Sequence, residues 1–274
     1  MATRKNPSDL TAVHIQRLWD WYGSNSYAES TYFCYQNGEG IANFLETTGR
    51  LKGKILDYGC GAGHLLDRLL KRNLQCYGVD SSTQSIEKVK NKFSIYSDRL
   101  EVRVIDNIVA PYPKDYFDVI TCIETLEHIP DDLIAPLLSE LKRLLKPGGL
   151  LIITTPFAEN LEANLVYCPY CDSEYHKWQH MRTLTMDSMR SLLQPHDFQI
   201  EFCRNMDFAR FAQRNGTSLP PIYHLSPAKL YVWTASRMRK ALDKLFPAPF
   251  PGGREVKYKL THGGHHLCAL VTKR

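Results

Sequence analysis

Apolar and polar positions alternate between two rhythms from residue 53 onward. "KILDYG" is a short aliphatic run closed by glycine, and "HLLDRLLKR" behind it repeats leucine at helical spacing. "LQCYGVD" returns to the strand pattern, followed by "SSTQSIEKVKNKF", a helix opened by serines suited to capping. "LEVRVID" and "FDVITCIE" read as two further strands. "DDLIAPLLSELKRLLKPGG" predicts an amphipathic helix with acids at its start, basic residues in its last turn and a Pro-Gly-Gly stop. "LLIITTP" is a fifth strand. Short strands alternating with helices of about 10–15 residues predict an α/β fold, a parallel sheet with helices on both faces.

After residue 156 the rhythm changes. "FAENLEANLVYCPYCDSEYHKWQHM" is irregular and rich in Cys, His and aromatics. A helix over 185–194 and a strand, "DFQIEFCR", follow, and a segment from about 207 to 262 delays the last strand, "HHLCALVTK". Within that segment Leu230, Trp233, Met238, Leu242 and Leu245 share one side of a predicted helix. The first 50 residues are helical in pattern around the aromatic run Tyr22, Tyr27, Tyr32, Phe33 and Tyr35. There is no internal repeat and no low-complexity tract.

The chain has 274 residues, 43% of them hydrophobic, enough to bury a full core. No apolar run approaches the roughly 18 residues of a membrane span. The start, "MATRKNPSDL", has basic residues with no apolar stretch behind them, so the expectation is a cytoplasmic protein. Of eight cysteines, Cys76, Cys122, Cys203 and Cys268 fall inside strand patterns, where a reduced thiol acts as a small buried hydrophobe. A formal charge of +5 permits anionic partners but lacks the concentrated basic face that nucleic acid calls for. The helix pattern at 227–246 either packs its apolar stripe on the core or a second subunit, or lies peripherally on anionic lipid. Oligomeric state leaves no mark.

The chemistry gathers around "ILDYGCGAGH" at 55–64. Dinucleotide folds want G-x-G-x-x-G, whose third glycine lets helix and strand pack closely. Here Gly59, Gly61 and Gly63 make G-x-G-x-G, with Asp57 inside the strand end. Asp80 closes the second strand in "YGVDSS", placed to accept two ribose hydroxyls and to repel a phosphorylated ribose. "VID" ending at Asp106, before Asn107, "FDVITCIETLEHIPDD" and "LKPGGLLIITTP" follow in order.

These stretches resemble, in register, the motifs of class I S-adenosylmethionine-dependent methyltransferases, over roughly residues 50–200 and the final strand. The resemblance implies a Rossmann-like seven-stranded sheet, mostly parallel with the last strand antiparallel. It implies that Gly59, Cys60, Gly61 and Gly63 carry the methionine part along bare backbone and that Asp57 orients its amino group. Asp80 and Ser81 would hold the ribose, Asp106 and Asn107 the adenine, and the backbone at Cys122 and Ile123 would face the methionine end. It divides the chain into an N-terminal helical segment, 1–50, covering cofactor and acceptor, and a methyltransferase domain, 51–274. That domain carries a Cys/His insert at about 157–184 and a helical insert at about 207–262.

The expected reaction is methyl transfer to a small molecule, with a hydroxyl oxygen the favoured acceptor, as in ubiquinone-pathway O-methyltransferases. An RNA 2′-hydroxyl, or a cofactor-binding partner subunit without catalysis, are the alternatives. A hydroxyl acceptor must lose a proton, and His128 and His180 are candidate bases; a histidine in "LEHIP" can equally be structural. Glu124, Glu127 and His128 also fall at i, i+3 and i+4, and "ETLEH" is similar to the metal-binding stretch of small-RNA 2′-O-methyltransferases. Finally, "CPYCDSEYHKWQH" reads C-x2-C-x4-H-x3-H, so that Cys168, Cys171, His176 and His180 have the compactness of a structural zinc knuckle. Against this, "HMRTLT" resembles a methyltransferase segment whose histidine points at substrate, which would take His180 out of the zinc set. The histidines of "HGGHH" at 262–266 read as a turn before the last strand.

Overall fold

The computed structural model describes residues 3–4, 12–170, 172–212 and 265–274. Cys171 and the expected helix at 227–246 lie outside the described residues.

Seven strands form one sheet: β1 (Lys54–Tyr58), β2 (Gln75–Asp80), β3 (Leu100–Val104), β4 (Phe117–Ile123), β5 (Leu145–Pro156), β6 (Phe198–Met206) and β7 (His266–Lys273). Their order is β3-β2-β1-β4-β5-β7-β6. The pairs from β3 to β5 are parallel, and β7 runs antiparallel to both neighbours. The Rossmann-like expectation is met, with β5 beginning at Leu145, five residues ahead of the predicted "LLIITTP" run and through the expected Pro-Gly-Gly stop.

The central strands are apolar on both faces because both faces are covered. Alternate residues separate cleanly. Ile55, Val119, Leu150, Ile152, Cys268 and Leu270 pack with α2 (Phe33–Thr47), α3 (His64–Leu70) and α4 (Thr83–Lys92). Leu56, Ile120, Leu151, Ile153, Ala269 and Val271 pack with α5 (Asp131–Leu144) and α6 (Met186–Leu193). Cys76, Cys122, Cys203 and Cys268 are buried thiols, as their strand positions imply. Asp131 and Asp132 start α5 and Lys142 and Arg143 end it, complementing the helix dipole.

Helix α1 (Ala12–Ser24) crosses the start of α4. Gly23 makes this approach possible: a Cβ there would stand 2.6 Å from Ser85 Oγ. Gln16 Nε2 donates to the Ser81 carbonyl (2.7 Å), and Ser82 Oγ donates to Asp20 (2.8 Å). The second rhythm of the sequence, at 157–184, builds a small sheet in which a hairpin of Leu165–Cys168 and Ser173–His176 is extended by Thr3–Arg4. No described helix is long and apolar enough to cross a membrane.

Candidate active site

In an open α/β sheet the strands' carboxyl ends open onto a crevice where ligands bind. Here the ends of β1, β2, β4 and β5 open into a cavity of about 880 Å³. The antiparallel β7 adds its first residue to the same edge, since His266 is registered against Pro156.

One part of the cavity has the residues for the cofactor. Asp80 is held at both oxygens: Gly61 N donates to Oδ2 (2.8 Å) and Ser82 N to Oδ1 (2.9 Å). The carboxylate so held lines the cavity at the end of β2, where it suits a diol. Gly61 has φ +48°, and a Cβ there would come within 2.9 Å of the Tyr32 ring, so its bare backbone forms cavity wall. Gly63, the left-handed cap of α3 at φ +76°, does a different job. A Cβ there would meet Phe93 and Val89 at 2.9 Å, so this glycine serves helix packing and does not line the cavity. Ser81, Cys60, Asp106, Asn107 and Ile123 line the cavity beside them. Cys122, expected next to the methionine end, is fully buried in the core and is not among the lining residues, because strand alternation turns it away from Ile123.

Asp57 is the electrostatic anomaly. It is buried, accepts one hydrogen bond from Thr121 Oγ1 (2.7 Å), and faces no lysine or arginine in the cavity wall among the described residues. Burial pushes its carboxyl up to about 7, against the Thr121 hydrogen bond, and the negative charge of Asp80 adds to the rise. A cation brought beside it would restore the ordinary carboxylate, which fits the ammonium and sulfonium of S-adenosylmethionine. Together with the held Asp80 and the bare Gly61, these residues fit that cofactor.

The other part is a cluster of carboxylates and imidazoles drawn from three loops. After β4 the chain passes through Glu124, a non-glycine residue at φ +46°, into the turn Leu126–His128. After β5 it passes through Ala158 (φ +49°) to Glu159, and after the hairpin through Gln179 (φ +59°) to His180. Left-handed backbone at three non-glycine residues is uncommon and is retained where surroundings over-determine it. Arg182, in the "HMRT" stretch, supplies part of that constraint: it donates to the carbonyls of Leu126 and Ile129 and pairs with Asp131. Met181 N donates to the Glu127 carbonyl (2.9 Å). His128 and His180 are thereby brought to a ring separation of 4.9 Å, with Trp19 edge-on to His128 at 4.6 Å.

The two candidate bases have unlike surroundings. His128 Nδ1 lies 3.4 Å from the Gln179 carbonyl, and burial, with His180 beside it, lowers the imidazole to about 3, so the ring stays neutral. His180 Nδ1 contacts a Glu159 carboxylate oxygen. Burial would raise Glu159, but hydrogen bonding and charge from His176 and His180 more than offset it and hold the carboxyl well below its usual range. Glu127 is the reverse: it is 1% exposed, neither oxygen has a hydrogen-bond partner among the described residues, and burial next to Glu124 pushes it well above the ordinary value.

The zinc expectation is corrected by register. In the hairpin Leu165 stands opposite His176 and Cys168 opposite Ser173. Cys168 and His176 therefore lie at opposite ends, about 10 Å apart at ~3.3 Å per residue, and on opposite faces. Cys168 cannot share an ion with His176. Among the described residues, the donors that do converge, each group within 4.8 Å, are Glu127, His128 and His180, and Glu159, His176 and His180. Histidine, carboxylate and no thiolate is the chemistry of a divalent transition metal held by nitrogen and oxygen.

Among the cavity residues that escape the motif reading are Glu159, Trp19 and His266, whose Nδ1 lies 3.0 Å from Glu124 Oε2. The "HGGHH" reading as a plain turn was incomplete for His265 and His266, which both line the cavity. The signal was available, because the first residue of an antiparallel strand in this sheet lies at the carboxyl edge. Of the aromatic run, Tyr22, Tyr32 and Phe33 line the cavity, while Tyr27 and Tyr35 are exposed.

Comparison with known proteins agrees with this geometry. A family described as "Methyltransferase domain" matches residues 27–201. The chain belongs to the class I S-adenosylmethionine-dependent methyltransferases. A ubiquinone biosynthesis O-methyltransferase of Leptothrix cholodnii is 38% identical over 119 residues, covering 41% of this chain and 49% of that one. One from Coxiella burnetii is 35% identical over 113 residues, covering 41% and 47%. The chain thus spans about half the length of the curated relatives it matches. Among solved structures, a putative sarcosine dimethylglycine methyltransferase from Galdieria sulphuraria superposes with TM-score 0.54 at 17% identity, covering 86% of this chain and 84% of that one. The [4+2]-cyclase SpnF gives 0.52 at 19% identity over 85% and 80%. At such identities the likeness is one of fold, and a cyclase beside a methyltransferase leaves the chemistry to the site.

Proposed function

We propose that this methyltransferase moves the methyl group of S-adenosylmethionine to a hydroxyl oxygen of a small molecule. The observation that carries the reading is that one cavity joins the Asp57, Gly61 and Asp80 pocket to neutral or carboxylate-paired imidazoles. The relatives' naming as O-methyltransferases supports the same acceptor atom.

When bound, the cofactor would supply an electrophilic methyl group whose bond to sulfur breaks as it is transferred, the neutral thioether being the leaving group. The residues of the chain do the rest. Asp80 would accept the ribose hydroxyls, Asp57 would hold the methionine ammonium, and Asp106 and Asn107 would border the adenine, all four lining the cavity. Trp19 beside His128 and Trp178 beside His180 line the cavity and would shield the acceptor from water. A cavity histidine takes the hydroxyl proton as the new carbon–oxygen bond forms, which contributes typically 10²–10⁴-fold. The converged Glu127, His128 and His180 also fit a divalent cation.

The test incubates the purified protein with isotope-labelled S-adenosylmethionine and a panel of phenols, catechols and alcohols, with and without EDTA. Label in an O-methyl product that is unchanged by chelator is the expected result. Loss in EDTA restored by manganese or magnesium would assign the cluster to a metal. Cofactor binding without any product would make this a silent binding subunit.

A further inference from the structure

Resting on the proposed hydroxyl chemistry, we infer that Glu159 is the residue that positions His180 as the base, and that His176 holds Glu159 in place for it. The three residues form a closed ring of contacts. His180 N donates to His176 Nδ1 at 3.0 Å. A ring nitrogen that accepts carries no proton, so the neutral His176 has its proton on Nε2, which faces Glu159 Oε1 at 3.5 Å, near enough for electrostatic attraction but outside hydrogen-bond geometry. The other carboxylate oxygen, Oε2, meets His180 Nδ1. The ring planes of His176 and His180 stack at 27° with centroids 4.6 Å apart, so neither can swing without the other.

The arrangement settles the tautomer of His180. Its Nδ1 bears the proton directed at Glu159, leaving Nε2 as an unprotonated nitrogen on a ring that lines the cavity. When Nε2 takes the proton of an acceptor hydroxyl, the imidazolium finds a carboxylate already in contact. His128 has only a carbonyl oxygen at Nδ1, and the carboxyl nearest its Nε2 is that of Glu127, at 4.0 Å. Of two histidines equally suited by sequence, the carboxylate therefore selects His180. The same tautomer argument removes His176 from metal ligation: its Nδ1 is occupied by a backbone donor and its Nε2 bears the proton. Its place at the end of the Ser173–His176 strand gives the hairpin a purpose, since it brings an imidazole up behind the Glu159 carboxylate.

Two measurements test this on the full chain, one independent of turnover. Long-range nitrogen–proton NMR of histidine-labelled wild-type protein should show His180 protonated at Nδ1 and His176 at Nε2. Finding His180 protonated at Nε2 overturns the inference even if methyl transfer is observed. For kinetics, Glu159→Ala should lower kcat by about 10–100-fold, the usual cost of losing an orienting partner, with KM and cofactor affinity within about twofold. Glu159→Gln keeps an acceptor for Nδ1–H but no charge, and should fall between Ala and wild type. A loss of kcat that merely tracks weakened cofactor binding, or an unchanged kcat, refutes the positioning role. If wild type shows no turnover while NMR gives the stated tautomers, the hydroxyl reading fails and the dyad stands.

Discussion

Asp57 shows how far a single buried carboxylate reports on an absent cation. Its folded-state pKa, about 7, lies above the ordinary 3.8. Between those values the folded chain binds more protons than the unfolded one, so stability falls as pH rises through that window. Asp57→Asn keeps the Thr121 hydrogen bond and removes this penalty. In the absence of ligand it should melt higher than wild type at pH 8, with the gap closing toward pH 4. With S-adenosylmethionine the order should reverse, because only wild type offers the ammonium a charge, and calorimetry should show affinity reduced by about tenfold or more. Parallel melting curves across that range would show that Asp57 is not strained by burial. The residue scale is also where the sequence was most legible for the cofactor: the resemblance to class I methyltransferases singles out Asp57, Gly61 and Asp80, and all three line the cavity. It was least legible for the base, because the meeting of Glu159 with His176 and His180 depends on hairpin register, which no local spacing encodes.

Between elements, the ties that hold the roof to the sheet are polar as well as apolar. Arg72, in the turn after α3, donates to Glu46 Oε1 (2.9 Å), Glu39 Oε1 (2.6 Å) and Asn43 Oδ1 (2.6 Å), all on α2. Asn43 in turn donates to the Phe211 carbonyl (2.8 Å), fastening the chain beyond β6. Arg72→Met should lower stability by about 1–3 kcal/mol, the cost of stranding partly buried partners, measured by urea unfolding. Cofactor affinity should not move, since none of these groups lines the cavity. Strands and helices were legible because period-2 and period-3.6 patterns survive burial on both faces. The zinc knuckle failed because Cys/His spacing specifies proximity along the chain, whereas antiparallel pairing places Cys168 and His176 at opposite ends.

Over the whole molecule, a chain of net charge +5 encloses a cavity of the opposite sign. Asp57, Asp80, Asp106, Glu124, Glu127 and Glu159 line it, Asp57 and Glu127 being pushed toward the neutral acid by burial, and no lysine or arginine does among the described residues. Such a field concentrates cations and disfavours anions. In matched pairs of acceptors, the neutral compound should outperform its carboxylate analogue by about tenfold in kcat/KM at low salt, with the ratio shrinking as ionic strength rises. Equal rates would place the acceptor outside this field.

Strand β7 is wedged between β5 and β6, and its first residue, His266, borders the cavity together with His265 just before it. A nascent chain must therefore leave two sheet edges bare, and its catalytic chamber missing a wall, for as long as residues 266–273 remain inside the ribosome. Unpaired edges of that kind invite association with other chains. The growing polypeptide must survive that interval before the chamber is complete.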